Sequence, residues 1–575
     1  MRAWVALLLA VAAVPAAAGQ ALLVGVVPDI PGQATGDEGL AIGATQTVDL
    51  TGWSLADGED TTLLPARTLQ AGETLWLVGN ATAWTSHQGP TPFVELRSLV
   101  RLGNDGDDPR LVDPAGQVVD AMAYGDKDVD NLLGTSSGIV LLRDRTPTGW
   151  TDTGKSADWS TPRLHRIGES HLDRPTFQVD RLTLYSSPDS SFEVLTGLID
   201  ASSARLHLHV YQLRSAGLVD HLVAARQAHP GLDLQVLVDG NPVGAGDDDR
   251  HATADALRRV QQAGGRAVLT GNGRYDDHHL KVLVADDAVA VQSENWVASG
   301  VPEDPSTGNR GWGAVLHDAQ AATWFAGWME HDRDAWDASD FDLTTFNPTF
   351  VAPPLRAPRA GDYGPRVAPL DILGPVAVTP LVAPDHTQDP RNDPVAALIV
   401  GARASIDVQQ LDLALGAAND IGWSSADPWT AALAAAAGRG VAVRVQAAAP
   451  FASSDPGNEP ELSWLASYGV DTAVMDRPGI TTLHNKAFVI DGATVVLGSM
   501  NGNHHSRSEN REVSLVVASP AAAAFYTDLF GADWDPPADD RDWGVPGDDV
   551  RGVPAAPWPT LLGILGVALI LRVRR

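Results

Sequence analysis

The sequence predicts a multidomain protein with an N-terminal all-β sandwich, a duplicated α/β fold and a C-terminal transmembrane segment. In residues 20–165, short apolar segments alternate with Gly, Asp, Asn and Pro clusters and show no long helical period, which is typical of a sandwich. Beyond residue 175, helix and strand patterns alternate and then recur about 196 residues later, which indicates two copies of one α/β unit. The uncharged stretch 553–571 is long enough to span a bilayer.

The composition excludes several classes of protein. The chain has 575 residues, with 72 acidic against 40 basic residues, a formal net charge of −32 and no cysteine. Without cysteine there is no disulfide, thiolate nucleophile or cysteine-ligated metal centre, so any chemistry must use other side chains. Lysine is scarce, because 36 of the 40 basic residues are arginine. The four lysines are Lys127, Lys155, Lys281 and Lys486.

The two ends of the chain carry targeting patterns. Residues 1–19 combine one arginine, an apolar run and small residues, which predicts a secretory signal peptide. Residues 533–552 are rich in Asp, Pro and Gly and predict a flexible stalk. Arginines follow 553–571, which predicts a transmembrane segment, although a sorting signal that is later removed has the same pattern. Together these patterns predict an extracytoplasmic protein anchored to the cell membrane by its C-terminal segment.

Region 20–165 shows a family resemblance. Residues 49–58 read Asp-Leu-Thr-Gly-Trp-Ser-Leu-Ala-Asp-Gly, and they are followed by Leu75-Trp76-Leu77 and Asn104-Asp105-Gly106-Asp107. These segments resemble the lamin-tail domain. The resemblance implies an immunoglobulin-like sandwich that acts as an accessory module for adhesion or substrate docking and has no catalytic role.

The repeat begins in the same way in both copies. Pro188-Asp189 and Pro384-Asp385 each precede an amphipathic helix and a strand-like segment, and a further helix and a buried strand follow. We assign residues 175–345 to the first half and 376–532 to the second half. The Pro-rich stretch 346–375 is the predicted linker between them.

Each copy carries one short motif of potentially catalytic side chains. The first reads His279-Leu280-Lys281 followed by Asp286, and the second reads His484-Asn485-Lys486 followed by Asp491. Because alternate residues of a strand project from one face, His and Lys two positions apart can meet the same phosphate. A neutral imidazole can attack phosphorus while the ammonium neutralises the phosphoryl oxygens. Hydroxyl and amide groups follow the motifs at Ser293, Asn295, Ser499 and Asn501.

The two motifs are identified as the paired HKD motifs of the phospholipase D superfamily, and the resemblance covers Pro175 to Trp534. In so lysine-poor a chain, two lysines in matching frames after a histidine would arise by chance on the order of once in 10⁴. The resemblance implies two α/β halves around a pseudo-twofold axis, a phosphohistidine intermediate and neither a metal nor another cofactor. Because both halves lie in one chain and share one site, a monomer suffices.

The resemblance also implies a role for each motif residue. His279 would be the nucleophile, and His484 would be the general acid and later the general base, since one half alone lacks an acid for the departing alkoxide. Asp286 and Asp491 would brace the fold. The phosphate would be bound by Lys281, Lys486, Asn295 and Asn501, helped by Ser293 and Ser499.

The two halves differ at the acidic residue that the family uses to orient a histidine. In the second half, Asn510-Arg511-Glu512 supplies this residue as Glu512. The equivalent stretch of the first half is Asn309-Arg310-Gly311-Trp312, which has no acidic side chain. The orienting partner of one histidine is therefore unassigned from the sequence.

The motifs indicate a phosphodiesterase without specifying its substrate. We favour hydrolysis or transfer of the phosphatidyl groups of phospholipids, because a membrane anchor would keep the bilayer within reach. A metal-independent endonuclease of the same superfamily is the alternative, although the charge of −32 opposes the phosphate contacts that supply affinity for nucleic acid. A catalytically idle adhesion or binding protein is a third interpretation, which the complete His and Lys pairs in both halves oppose.

Overall fold

The computed structural model describes most of the chain between residues 20 and 534. The described residues are 20–32, 38–129, 133, 136–146, 149–159, 165–342, 363–364, 367–389, 392–418, 424–450, 457–475 and 477–534. The predicted signal peptide 1–19 and the predicted membrane segment 553–571 lie outside them, as does the predicted stalk beyond Trp534. The first two residues of that stalk end the helix Pro520–Trp534.

The prediction of a C-terminal membrane span is contradicted. Within the described ranges, no helix is long and apolar enough to cross a bilayer. The longest helix there, Asp247–Gln262, has 16 residues and begins with three aspartates, whereas a span needs about 20 mostly apolar residues. We therefore correct the fold class to a β-rich N-terminal region followed by a duplicated α/β fold. The predicted location, extracytoplasmic through a signal peptide and anchored to the cell membrane by the C-terminal segment, is corrected with it.

The N-terminal region consists of two sheets that share an apolar core. Residues from both sheets meet in it, among them Leu23, Leu55 and Leu111, which are fully buried. The resemblance of this region to lamin tails stays a prediction. The larger sheet contains Ala21–Val27, Gly39–Ala44, Thr74–Val78, Phe93–Glu95, Ile139–Leu142 and His165–Arg166, and the smaller contains Ser54–Ala56, Thr61–Leu63, Arg110–Val112 and Val118–Ala121. Shorter elements are Val48–Asp49, Thr68–Leu69, Gly106–Asp107, Tyr124–Gly125, Arg145–Thr146, Gly149–Trp150, the helix Ala81–Ser86 and the 3₁₀ turn Ser156–Asp158.

The rest of the described chain forms one 16-stranded sheet with accompanying helices. The first half contributes strands Phe177–Ser187, Arg205–Val210, Asp233–Asp239, Arg266–Thr270, Lys281–Ala285, Ala288–Gln292, Gly308–His317 and Ala338–Asp340, and helices Ser191–Ala201, Ala216–Ala228, Asp247–Gln262 and Ala319–Arg333. The second half contributes strands Leu370–Ala383, Ser405–Gln410, Ala442–Ala448, Asp471–Met475, Ile480–Leu483, Lys486–Ile490, Thr494–Gly498 and Glu512–Ala518, and helices Pro394–Gly401, Pro428–Gly438, Glu459–Ser467, His504–Ser508 and Pro520–Trp534. A hairpin, Gly416–Ala418 with Ser424–Ala426, extends from the second half.

Local sequence explains how the helices of the second half begin. Asp393 precedes Pro394, and its carboxylate accepts the backbone N–H groups of the first turn. Asp427 and Pro428 repeat this arrangement at the next helix. An acidic cap satisfies the free N–H groups, and proline at the first position lacks an N–H to satisfy.

The two halves join through two long antiparallel strands at the centre of the sheet. Phe177–Ser187 pairs with Leu370–Ala383, and a register shift in this pairing lies at Pro375, where a missing N–H is tolerated. The second of these strands begins inside the stretch 346–375 that the sequence predicts as a linker. Residues 343–362 lie outside the described residues.

Two buried arginines connect the halves. Arg310 of the first half pairs with Asp189 of its own half at 2.6 Å and with Asp533 of the second half at 2.8 Å. Charges that are fully buried are tolerated when each has a partner. The second half repeats the arrangement, at 2.6 and 2.7 Å, in Arg511, Asp385 and Asp332.

Candidate active site

Each motif histidine stands just before a buried strand that begins with the motif lysine. The strands are Lys281–Ala285 and Lys486–Ile490, and each pairs in antiparallel orientation with a core strand of its own half, Arg205–Val210 or Ser405–Gln410. The ammonium of Lys281 donates to the backbone oxygen of His279 at 2.7 Å, and Lys486 donates to that of His484 at the same distance. Each His–Lys pair is thus held together by its own backbone.

The two motifs meet because each half pairs with the backbone of the other beside its histidine. The N–H of His484 donates to the backbone oxygen of Arg310 at 2.9 Å, and the N–H of Arg511 donates to that of Asp277 at 2.8 Å. Both motif lysines lie close enough to His279 for their charges to lower its pKa. The four predicted His and Lys side chains therefore share one site between the halves.

His279 is oriented by a carboxylate of the second half. It donates from Nδ1 to the two carboxylate oxygens of Glu512, at 2.9 and 2.8 Å. Asn510 donates to the same carboxylate at 3.1 Å and fixes its position. Glu512, which the sequence predicts to orient a histidine, lies beside the histidine of the opposite half.

His484 also lies beside a carboxylate, which sequence reasoning missed. Its Nδ1 is 3.0 Å from the backbone oxygen of Ser293, 3.2 Å from Nζ of Lys486 and 3.4 Å from Oε2 of Glu294. Asn309 donates to that Glu294 oxygen at 3.0 Å. The available signal was an acidic residue directly after a predicted phosphate-binding serine, but only the contact between halves reveals which side chain it faces.

Burial and positive charge control protonation in the site. Burial lowers the pKa of His279 well below its usual 6.5, and Lys281 and Lys486 lower it further. Burial and Lys486 also lower the pKa of His484. Burial lowers the pKa of Lys486 to about 8 and that of Lys281 well below 10.5, and it raises the pKa of Glu512 to about 7. At neutral pH the unliganded imidazoles are therefore uncharged and able to act as nucleophile or base.

The Nε2 atoms of the two histidines are open to a ligand. Neither has a hydrogen-bond partner among the described residues. The side chains of His279 and His484 are 10% and 11% exposed, whereas those of Glu512 and Glu294 are at most 1% exposed. A substrate can therefore reach the histidines while the groups that hold them stay buried.

The predicted amide and hydroxyl groups differ in their surroundings. The Oδ1 atoms of Asn295 and Asn501 are buried and lack a hydrogen-bond partner within the described residues, so both amides have unused capacity for a ligand. The hydroxyls of Ser293 and Ser499 instead accept a backbone N–H from the neighbouring strand, at 3.1 and 2.9 Å. These serines connect adjacent strands, and their contribution to phosphate binding stays a prediction.

The motif aspartates lie in turns with left-handed backbone. The φ angles of Asp286 and Asp491 are 47° and 53°. The Asp286 carboxylate accepts the N–H groups of residues 203–205 at 2.7 to 2.9 Å, and Asp491 binds residues 403–405 in the same way. Burial raises the pKa of these carboxyls, but the backbone N–H groups outweigh it and hold the pKa below 3.8. Both aspartates therefore fasten the turn that leads into a core strand of their half.

Tyr211 connects the site to a neighbouring cavity. Its ring meets that of His279 edge-on with centroids 4.7 Å apart, and Nζ of Lys281 lies 5.2 Å from the tyrosine ring centre. Its hydroxyl donates to Asp277 at 3.3 Å. Beyond it lies a cavity of about 380 Å³ whose polar lining includes Asn241, Arg250, Asn272, Asp276, Asp277 and His505.

The charged groups that contact Nδ1 of the two histidines are Glu512, Glu294 and Lys486. In the part of the chain that the structure describes, no three His, Asp or Glu side chains are grouped so as to hold a metal ion. Positive charge for a phosphate is available from Lys281 and Lys486.

Two His–Lys pairs from two copies of one α/β fold, each histidine with a carboxylate at Nδ1, define a phosphodiesterase-type enzyme. Residues 395–534, most of the second half, match the family model described as cardiolipin synthase, PLD-like domain. Together with the HKD motif in each half, this match supports the resemblance of the chain to the phospholipase D superfamily.

Several solved structures are distantly similar to the chain. Phosphatidylserine synthase of Haemophilus influenzae is 13% identical, with a TM-score of 0.46 over 63% of this chain and 88% of that one. The phospholipase D family member Nuc of Salmonella typhimurium is 17% identical, with a TM-score of 0.24 over 28% of this chain and 97% of that one. NucT of Helicobacter pylori is 16% identical, with a TM-score of 0.22 over 27% and 94%. No curated protein sequence matches the chain.

Proposed function

We propose that the protein is a phosphodiesterase that hydrolyses or transfers phosphatidyl groups of phospholipids through a phosphohistidine intermediate. The observation that carries the proposal is the pairing of His279 and His484 in one site, each with a carboxylate beside Nδ1 and an open Nε2. A carboxylate beside Nδ1 favours the proton on that nitrogen and leaves the Nε2 lone pair for reaction.

In the first step, Nε2 of His279 attacks the phosphorus, an N–P bond forms and the P–O bond to the alcohol breaks. Glu512 stabilises the positive charge that develops on the imidazole. His484 transfers its Nε2 proton to the departing alkoxide. It can hold that proton because the bound phosphate is anionic and opposes the lowering of its pKa by burial and Lys486.

In the second step, His484 takes a proton from a water or an acceptor alcohol, whose oxygen attacks the phosphorus. The N–P bond breaks, and its electron pair returns to His279. Lys281 and Lys486 neutralise the phosphoryl oxygens in both steps. Water as the acceptor yields phosphatidic acid, and an alcohol yields a new phosphodiester.

The charges of the site favour a lipid over nucleic acid. Nucleic-acid affinity comes from many phosphate contacts along a basic groove, whereas one phosphodiester can be neutralised by the two buried lysines. The cavity beside Tyr211 presents Asp276 and Asp277 as well as Arg250 and His505, which is not a basic groove. The net charge of −32 adds to this preference.

The test compares two substrates in the presence of EDTA. Purified protein is incubated with vesicles of phosphatidylcholine and phosphatidylglycerol, and separately with plasmid DNA, at low and high salt. We expect head-group release without nicking. His279→Ala and His484→Ala should abolish the release, whereas His221→Ala, on the helix Ala216–Ala228 outside the site, should not change it. Nicking without head-group release would overturn the lipid assignment, and full activity of either alanine variant of the site would overturn the mechanism.

A further inference from the structure

We propose that Glu294 is the positioning residue for His484 and does from a different strand end what Glu512 does for His279. Gly311, in turn, is glycine because the carboxylate of Glu294 fills the space that a side chain at position 311 would need. The inference rests on the proposed function, since it assigns a partner to the histidine that protonates the leaving group.

Strand register shows which positions of the two halves correspond. Gly311 pairs with Ser187, and Glu512 pairs with Ala383. Ser187 and Ala383 each precede the proline of the repeated Pro-Asp sequence. Gly311 therefore occupies the position that holds Glu512 in the second half.

The serines at the ends of the neighbouring strands establish the second correspondence. The hydroxyls of Ser293 and Ser499 accept the N–H of the residue after Gly311 and after Glu512, at 3.1 and 2.9 Å. The residues that follow these serines are Glu294 and Met500. The acidic side chain is thus supplied by one strand in the second half and by the end of the neighbouring strand in the first half.

Both carboxylates reach equivalent surroundings from these different origins. Asn309 donates to Glu294 at 3.0 Å, and Asn510 donates to Glu512 at 3.1 Å. Both glutamates are at most 1% exposed, and each lies beside Nδ1 of the opposite half's histidine. Each half-site therefore places a buried carboxyl group beside Nδ1 of a histidine.

A side chain at position 311 is incompatible with this placement. A Cβ on Gly311 would lie 2.2 Å from Oε1 of Glu294 and 2.4 Å from the hydroxyl of Ser293, far inside van der Waals contact. The φ angle of Gly311 is outside the left-handed range, so the backbone there does not itself require glycine. The space that the carboxylate of Glu294 occupies therefore explains why position 311 is glycine.

The two glutamates differ in how closely they contact their histidines. Glu512 lies 2.8 Å from Nδ1 of His279, whereas Glu294 lies 3.4 Å from Nδ1 of His484, and the backbone oxygen of Ser293 is the nearer acceptor at 3.0 Å. Oε1 of Glu294 is buried without a hydrogen-bond partner among the described residues. Glu294 therefore acts mainly through its negative charge, which favours the protonated form of His484.

The first test is Glu294→Gln, which keeps the shape and removes the charge. We expect kcat/KM for a phospholipid with an alkyl head group to fall about 100-fold, as for loss of a group that supports a catalytic one. With a p-nitrophenyl phosphodiester, whose leaving group needs no proton, the loss should be less than about tenfold. A merely structural role would lower both rates equally. Equal losses, or no loss with either ester, would overturn the inference.

The second test transplants the arrangement of the second half. Glu294→Met should lower kcat/KM because it removes the carboxylate. Gly311→Glu should also lower kcat/KM, because the new side chain crowds the carboxylate of Glu294. The double variant Glu294→Met/Gly311→Glu should recover to within about tenfold of the wild-type kcat/KM, since it reproduces Met500 and Glu512. Thermal unfolding of each variant identifies any that fails to fold. A folded double variant no more active than Glu294→Met would overturn the proposed correspondence.

The outcomes also separate this inference from the proposed function. If His484→Ala retains full activity with both esters, the proposed function fails whatever Glu294 does. If His484→Ala is impaired with the alkyl ester but Glu294→Gln is not, only the role of Glu294 fails.

Discussion

The two α/β halves have the same elements but supply the carboxylate of the site from different positions. In the second half Glu512 stands at the start of the strand Glu512–Ala518, whereas in the first half Gly311 takes that place and Glu294 arrives from the adjoining strand end. The location of the negative charge is the same, although its sequence position is not. A duplicated fold can therefore keep the electrostatics of a half-site while the motif that supplies it changes.

The residue before each of these positions is the same in both halves. Arg310 and Arg511 each pair with the aspartate of the repeated Pro-Asp sequence and with an aspartate on the last helix of the opposite half. These ion pairs between the halves tolerate less change in sequence than the position of the carboxylate does. Removing one partner of a pair would leave a buried charge unpaired.

The largest expected effect distinguishes the roles of the two histidines. His279→Ala removes the proposed nucleophile, so kcat/KM should fall about 10⁴-fold or more for every ester. His484→Ala removes the proposed acid, so the loss should be about 10²- to 10⁴-fold with an alkyl leaving group and much smaller with p-nitrophenol. Steady-state rates with both esters measure the difference. Equal losses for the two esters in His484→Ala would show that it is not the acid.

Breaking one buried ion pair tests the connection between halves. Asp533→Asn leaves Arg310 and Arg477 without a charged partner that they contact at 2.8 and 2.9 Å. The free energy of unfolding should fall by roughly 3 to 5 kcal/mol. Asp528→Asn, exposed on the same helix, should change it by less than about 0.5 kcal/mol. Chemical denaturation of the two variants is the measurement, and similar stabilities would contradict the role of this pair.

The pH profile compares the two lysines. Lys486 is charged below its pKa, which burial lowers to about 8, so kcat, which reports the complex in which the bound phosphate keeps His484 protonated, should fall as the pH rises above about 8. His279 is neutral above its lowered pKa, so activity should be lost on the acid side only below pH 6.5. Lys486→Arg should move the alkaline limb upward, because guanidinium stays charged, and Lys281→Arg is the matched variant. A flat profile from neutral to strongly alkaline pH would exclude an essential lysine charge.

The smallest effect concerns the motif aspartates. Asp286→Asn weakens hydrogen bonds to three backbone N–H groups and should destabilise the fold by about 1 to 2 kcal/mol without changing kcat. Asp286→Ala should lower the free energy of unfolding by about 1 kcal/mol more than Asp286→Asn, because alanine tolerates the left-handed backbone less well than asparagine. Because the folded pKa is lowered, this stability is full above pH 3.8 and lost as the pH falls through the folded pKa. Asp491→Asn should behave alike, and a large fall in kcat in either variant would contradict a purely structural role.

The sequence singles out the two histidines and two lysines because each motif spans only a few positions and recurs, and the structure brings these four side chains together. Glu294 could not be assigned in this way, since its role depends on a contact such as that of Ser293 with His484, 191 positions away. Asp533 lies in the stretch that the sequence predicts as a flexible stalk. In the structure it lies in the last turn of a helix, where Arg310 and Arg477 pair with it. These outcomes depend on tertiary contacts that composition and periodicity do not contain.

A covalent adduct on His279 is the most direct test of the shared site. His484→Ala, which lacks the proposed base for the second step, is mixed with a p-nitrophenyl phosphodiester, quenched in alkali to preserve phosphohistidine, digested and fragmented in a mass spectrometer. We predict the mass of the substrate's phosphoryl group on His279, not on the adjacent His278, and no adduct in His279→Ala. An adduct on another residue, or rapid turnover of the diester by the wild-type protein with no adduct in either form, would contradict the proposed mechanism.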